Sequence, residues 1–127
     1  MSYEILWETK GVVKRFFGHV TSNELFQAGV DLQGNVRFDQ LKYVINDFLG
    51  IQGFSFSSGD VEELSAIDNA ASGTNKNLKL AIIASDPGII ALANQYASSP
   101  MNIYPFRIFS TLGDGRAWLG LLPWLTK

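Results

Sequence analysis

Two stretches near the start of the chain, Tyr3 to Glu8 and Val12 to Val20, are dense in β-branched and aromatic residues, the composition that suits a pleated, half-buried surface. Thr9-Lys10-Gly11 separates them and offers a glycine for a tight turn, so the pattern predicts a β-hairpin. Next, Thr21-Ser22-Asn23-Glu24 has the Ser/Thr-x-x-Glu spacing in which hydroxyl and carboxylate reciprocally cap the free backbone N–H groups of a helix start. Leu25, Phe26, Ala28, Gly29 and Leu32 follow at roughly helical spacing, and Gly34 ends the run, which predicts a helix from Ser22 to Gln33. Leu41 to Phe48 reads as a buried strand, and the Gly- and Ser-rich segment from Leu49 to Ser58 as a loop. A second helix starts near Asp60. Val61, Leu64, Ile67 and Ala71 trace its apolar stripe, while Glu62, Glu63 and Asp68 mark the face left to water.

Leu78 to Ala84 is an almost unbroken apolar run, the pattern of a central strand covered on both sides. Ser85-Asp86-Pro87 supplies a capping side chain and a proline at the first helical position, where its missing N–H is harmless. The third helix then runs to Ser98. Ile103 to Phe109 makes a last strand, expected at a sheet edge because Pro105 cannot donate a ladder hydrogen bond, and a fourth helix covers Thr111 to Leu121. The order β-β-α-β-α-β-α-β-α predicts one α/β domain over residues 1–127. Its sheet is mixed and mostly parallel, with an N-terminal antiparallel hairpin, right-handed crossovers and four helices.

Composition narrows the function classes. With 46% hydrophobic and 17% charged residues, the 127-residue chain has the material for one core and nothing of a disordered tail. Ten Lys and Arg against twelve Asp and Glu leave a formal charge of -2 with no basic cluster, so the counterion-release term behind nucleic-acid affinity is missing and no nucleic-acid partner is expected. The absence of cysteine removes disulfides, thiolate metal sites and thiol nucleophiles together. Met1-Ser2-Tyr3-Glu4-Ile5 carries no basic region followed by an apolar core, and no apolar run reaches spanning length. A cytoplasmic protein is the expectation.

Gly18 to Glu24, Tyr43-Val44-Ile45-Asn46-Asp47-Phe48, Ala84-Ser85-Asp86-Pro87, and Arg107-Ile108-Phe109 followed by Arg116-Ala117-Trp118-Leu119, in this order of elements, resemble the SpoIIAA-like family of small bacterial proteins. That family is related in fold to the STAS domains of anti-sigma-factor antagonists and anion transporters. The shared motifs are structural rather than chemical, so the resemblance implies a fold and no particular activity. Antagonists of this kind carry an Asp-Ser-Ser-Gly-type turn after the strand matching Leu41 to Phe48, and a kinase phosphorylates a serine there. Here that place reads Asp47-Phe48-Leu49-Gly50, with the aspartate and without the serine. Ser55, Ser57 and Ser58 lie downstream, where their expected work is to cap the second helix.

No Gly-x-Ser-x-Gly, His-Glu-x-x-His, P-loop or Gly-x-Gly-x-x-Gly pattern occurs, so no enzyme activity, cofactor or metal is expected. His19, the only histidine, has no identifiable catalytic partner in the sequence. Open α/β sheets gather ligand loops at the carboxyl ends of their strands, which makes Asp47, Phe48, Ser85, Asp86 and Ser110 the candidate ligand-binding set. The competing reading is that Asp86 and Thr111 cap helices and Asp47 pins a loop.

Between Asp86 and Arg107 there is no charged residue, and Ile89, Ile90, Leu92 and Tyr96 make the third helix apolar on more than one face. Ala117 to Leu125 is likewise uncharged and holds Trp118, Leu121, Leu122 and Trp124. These eight residues either fill the core or form an apolar surface for a lipid-like small molecule, a membrane interface or a second copy in a homodimer. Two surplus Leu or Ile side chains are worth roughly 3–6 kcal/mol when buried, enough for reversible association. The sequence thus predicts a non-catalytic binding module for an apolar or lipid-like ligand, cytoplasmic and peripheral at the inner face of the membrane. The alternative is a regulatory protein acting through protein contacts and serine phosphorylation.

Overall fold

The hairpin forms where its residues place it. In the computed structural model, which describes residues 2–73, 75–100, 102 and 104–121, β1 (Tyr3–Trp7) pairs antiparallel with β2 (Gly11–Val20). A glycine is needed at the turn for space as well as conformation: a Cβ on Gly11 would lie 2.2 Å from the Tyr43 ring. The chain continues through α1 (Ser22–Gln33), a 3-10 turn (Val36–Gln40), β3 (Tyr43–Phe54), α2 (Ser58–Ala71), β4 (Lys79–Ile83), α3 (Pro87–Ser98), β5 (Phe106–Phe109) and α4 (Leu112–Trp118). The five strands lie in the order β1-β2-β3-β4-β5, with every pair after the hairpin parallel. Single domain, mixed sheet, antiparallel hairpin and four helices are as the pattern predicts.

Because each crossover adds a strand on the same side of the last, right-handed connections carry α1, α2 and α3 to one face of the sheet. There Val12, Phe16, Val44, Phe48, Leu80 and Ile82 meet the helices in two adjoining clusters. Among the described residues the opposite face has one helix: Val13, Ile45, Ala81 and Ile83 are covered by α4 through Leu112 and Trp118, together with Leu119 and Leu121. Local signals set the helix starts. Thr21 and Glu24 form the expected capping box on α1, and the Asp86 side chain accepts the N–H groups of Gly88 and Ile89 ahead of α3.

Three boundaries differ most from the sequence reading. β3 does not end at Phe48 but continues to Phe54, because the tail of β2 supplies ladder partners: Phe17 pairs Gly50, Gly18 pairs Ile51, His19 pairs Gly53 and Val20 pairs Phe54. The register shifts twice along this ribbon, and Gly18 takes a positive φ of 65° there, as a bulge requires. Glycines that read as loop are thus strand residues with a neighbour. The last strand begins at Phe106 rather than Ile103, which lies outside the described residues, and β5 occupies the expected sheet edge. The last helix is shorter than expected, ending at Trp118, and Gly120 turns the chain with a φ of 77°.

Candidate functional site

One row of residues crosses the sheet in register on the face beneath α1, α2 and α3: Ile5, Lys14, Asn46, Ile82 and Ile108. Strand alternation puts Lys14 on the face of Val12 and Phe16, two residues with no exposed surface, and Asn46 on the face of Val44 and Phe48. Above this polar pair the helices leave a cavity of about 100 Å³, otherwise lined almost wholly by apolar side chains such as Leu25, Leu64, Ile89 and Leu92. Among the described residues that line it, Lys14 is the one cation and Asp68 of α2 the one anion.

The two do not touch. The Lys14 side chain has no ion pair within 4.0 Å and no hydrogen bond among the described residues. Asp68 instead accepts the Tyr96 hydroxyl at 2.6 Å and the Gln33 amide at 3.1 Å. Burial pulls the Lys14 ammonium below the ordinary lysine range, and the Asp68 charge only partly opposes it. Burial likewise pushes the Asp68 carboxyl up against the opposing pull of Tyr96, Lys14 and Gln33. Asp68 therefore does not belong to the water-facing side of its helix, where the sequence reading put it. Its spacing from Val61 and Leu64 places it on their stripe, and position decided its surroundings where charge had suggested otherwise.

The opposite face pairs its buried charges at contact distance, with Arg116 Nε alone left without a hydrogen-bond partner among the described residues. Arg116 of α4, 1% exposed, donates from Nη1 and Nη2 to the two carboxylate oxygens of Glu8 at 3.0 and 2.5 Å, and the Tyr43 hydroxyl donates to the same carboxylate. Burial alone would raise the Glu8 carboxyl, but the hydrogen bonds from Arg116 and Tyr43 outweigh it and hold the pKa down. A two-pronged guanidinium–carboxylate contact of this kind is strong and directional.

A third polar grouping sits where β3 hands over to α2. Ser57 caps the helix, and Asp60 accepts the Ser57 N–H at 2.8 Å and its hydroxyl at 3.2 Å. The Ser58 hydroxyl reaches across to Gln95 of α3 at 2.9 Å, and Gln95 donates back to the Ser58 carbonyl and to Glu62. Both serines are exposed, whereas Phe56 beside them is buried against Phe54. Since β3 ends at Phe54, the strand-to-helix turn reads Phe56-Ser57-Ser58-Gly59. Asp47-Phe48-Leu49-Gly50, where the sequence reading put that turn, lies within β3 instead.

The predicted ligand set is not one constellation. Asp47 and Phe48, neighbours on β3, point to opposite faces. Asp47 is buried, 3.7 Å from Arg15, and accepts the Leu49 N–H at 2.9 Å, while Phe48 stacks on Phe16 and lines the cavity. Ser85 and Ser110 are exposed after β4 and β5, and Asp86 is engaged as a cap. Of the apolar surface set, Ile89 and Tyr96 are core residues. Ile90 and Leu92 pack against the helix-side clusters, and Trp118 and Leu121 pack beneath α4's face of the sheet. Leu122 and Trp124 lie outside the described residues. Among the described residues no helix is long and apolar enough to cross a membrane, and no group of acidic and histidine side chains could hold a metal ion.

The anti-sigma factor antagonist SpoIIAA in its unphosphorylated form superposes with a TM-score of 0.62 at 11% identity, over 93% of this chain and 96% of that one. The fold is SpoIIAA-like. An uncharacterized DUF3478-family protein with a SpoIIAA-like fold from Shewanella loihica PV-4 matches at a TM-score of 0.58 and 16% identity, over 92% of this chain and 91% of that one. The phosphorylated form of the Bacillus cell fate determinant SpoIIAA gives 0.58 and 13%, over 92% and 98% of the two chains. No family model matches the chain, and neither does any curated protein. At such identities the likeness establishes the SpoIIAA-like fold and leaves function to the site.

Proposed function

We propose that this chain is a regulatory binding module of the anti-sigma-antagonist kind, acting through protein contacts at the start of α2 and switched by phosphorylation of Ser57 or Ser58. The observation that carries the reading is the exposed Ser57-Ser58-Gly59 turn at the end of β3, in a fold shared with a protein known in unphosphorylated and phosphorylated forms. The electrostatics suit a switch. A phosphate on Ser57 would face the free N–H groups of the first turn of α2, which favour an anion, and would repel the Asp60 carboxylate that now closes the capping box. A phosphate on Ser58 would remove the hydroxyl donated to Gln95 and so cut a tie between α2 and α3.

The test is incubation with ATP and an anti-sigma-type serine kinase, followed by intact-mass and peptide analysis. We expect one phosphate within the turn, absent from the Ser57→Ala, Ser58→Ala double variant, and a changed affinity for a captured partner in Ser57→Asp. A protein that takes no phosphate at either serine, with partner binding indifferent to Ser57→Asp, would overturn the reading. Membrane association is not part of it, since the described residues expected to form an apolar surface pack inward.

A further inference from the structure

We propose that the cavity beneath α1, α2 and α3 is a binding site for small apolar aldehydes, which Lys14 holds as a reversible imine. The inference is independent of the serine switch and rests on a different part of the molecule. Its geometry is specific: a primary amine stands on the cavity floor beside Asn46, without the ion pair that would normally accompany a buried lysine. The surrounding wall is almost wholly apolar. A desolvated lysine in an apolar pocket is the usual setting of a nucleophilic amine, and the lowered pKa of Lys14 enlarges its free-amine fraction. Size limits the partner. A cavity of about 150 Å³ accepts benzene, so one of about 100 Å³ suits a chain of roughly four carbons.

The chemistry balances within the residues present. The Lys14 Nζ lone pair forms a bond to the aldehyde carbon, the carbonyl π pair moves to oxygen, and a proton passes from nitrogen to that oxygen to give a carbinolamine. The C–O bond then breaks as the nitrogen pair forms C=N, the departing hydroxyl takes a proton from a neighbouring acid and leaves as water, and the iminium N–H returns a proton to that acid's conjugate base to leave the imine. Asp68, the one acid lining the cavity, is the group placed to supply that proton. Its carboxyl is held protonated to higher pH by burial, and Tyr96 and Gln33 fix its orientation. Hydrolysis by the reverse steps releases the aldehyde.

Treatment of the intact protein at neutral pH with butanal and sodium cyanoborohydride reduces any imine to a stable butyl amine, which peptide mapping locates. A lowered pKa enlarges the free-amine fraction at neutral pH, so we expect Lys14 to carry more label than any of the exposed Lys10, Lys42, Lys76 or Lys79. Lys14→Met should reduce total labelling by the share that Lys14 carries and leave the other amines unchanged. Asp68→Asn, shown folded by circular dichroism, should slow labelling at Lys14 alone. Butyl groups spread evenly over the exposed lysines, or an unlabelled Lys14 in the folded wild type, would overturn the proposal without touching the serine switch.

Discussion

Behind the sheet, Arg116 and Glu8 meet in a two-pronged ion pair with Tyr43 on its flank; on the helix side, Lys14 and Asp68 border one cavity without touching. The first arrangement pairs its charges at contact distance and ties the N-terminal hairpin to the last helix. The second leaves an amine with no partner among the described residues and a carboxylate served by neutral donors. A closed pair is expected to contribute to stability, because removing either member strands the other. An open one is expected to cost stability, because desolvation is met by too little attraction. Structural and available charges are thus separated by the sheet between them.

The contrast breaks most visibly at Arg116. Arg116→Met or Glu8→Gln should each cost about 3–5 kcal/mol, since an uncompensated buried charge or a lost bidentate contact remains, and calorimetry should find a melting temperature lower by on the order of 10–15 °C. A loss under about 1 kcal/mol would mean the pair is no more than a surface bridge.

Lys14→Met should act in the opposite direction, stabilising the protein by on the order of 1–2 kcal/mol at neutral pH, because a volume-matched apolar side chain replaces an unpaired amine. The sign follows from linkage. Lys14 has a folded pKa below its ordinary 10.5, so the unfolded chain holds the proton more tightly and wild-type stability falls as the pH drops from 10.5 through the folded value. Denaturant titrations across that window should show the fall in wild type and a flatter profile in Lys14→Met.

Gly29 of α1 lines the cavity, and a Cβ there would meet nothing within 4 Å. Gly29→Ala should stabilise by about 1 kcal/mol through helix propensity and the narrowed cavity. A loss of stability measured by urea unfolding would instead show that the space is needed.

The smallest effect belongs to Glu24, a half-buried charge outside both arrangements. Hydrogen bonds from Ser2, and next from the Thr21 backbone, lower its pKa from 4.5 to about 2. Its contribution is present above pH 4.5 and lost as the pH falls toward 2. Glu24→Gln should therefore lower stability slightly at neutral pH and flatten the acid limb, the two proteins converging as the pH falls toward 2, as read by circular dichroism.

Much of the fold was legible because its signals are local. The Thr21 and Glu24 box, the Asp86-Pro87 helix start and the Thr9-Lys10-Gly11 turn each act within a few residues, and the alternation of strand and helix signals fixed the element order before any contact was known. The site was less legible. Lys14 lies between Val12 and Phe16 at strand spacing, and Asp68 follows Val61 and Leu64 at helical spacing, so their places on buried faces were written in periodicity but hidden behind their charge. What no local signal carried was the partnership of residues far apart in the chain: Glu8 with Arg116, 108 positions away, the tail of β2 beneath the glycines of β3, and the gap that keeps Lys14 from Asp68. Sequence by itself determined the elements and their order, since capping, turn and alternation are short-range forces. Only the tertiary structure decided which charges meet and which remain apart, because that depends on how helices settle on a sheet and on the space their side chains leave unfilled.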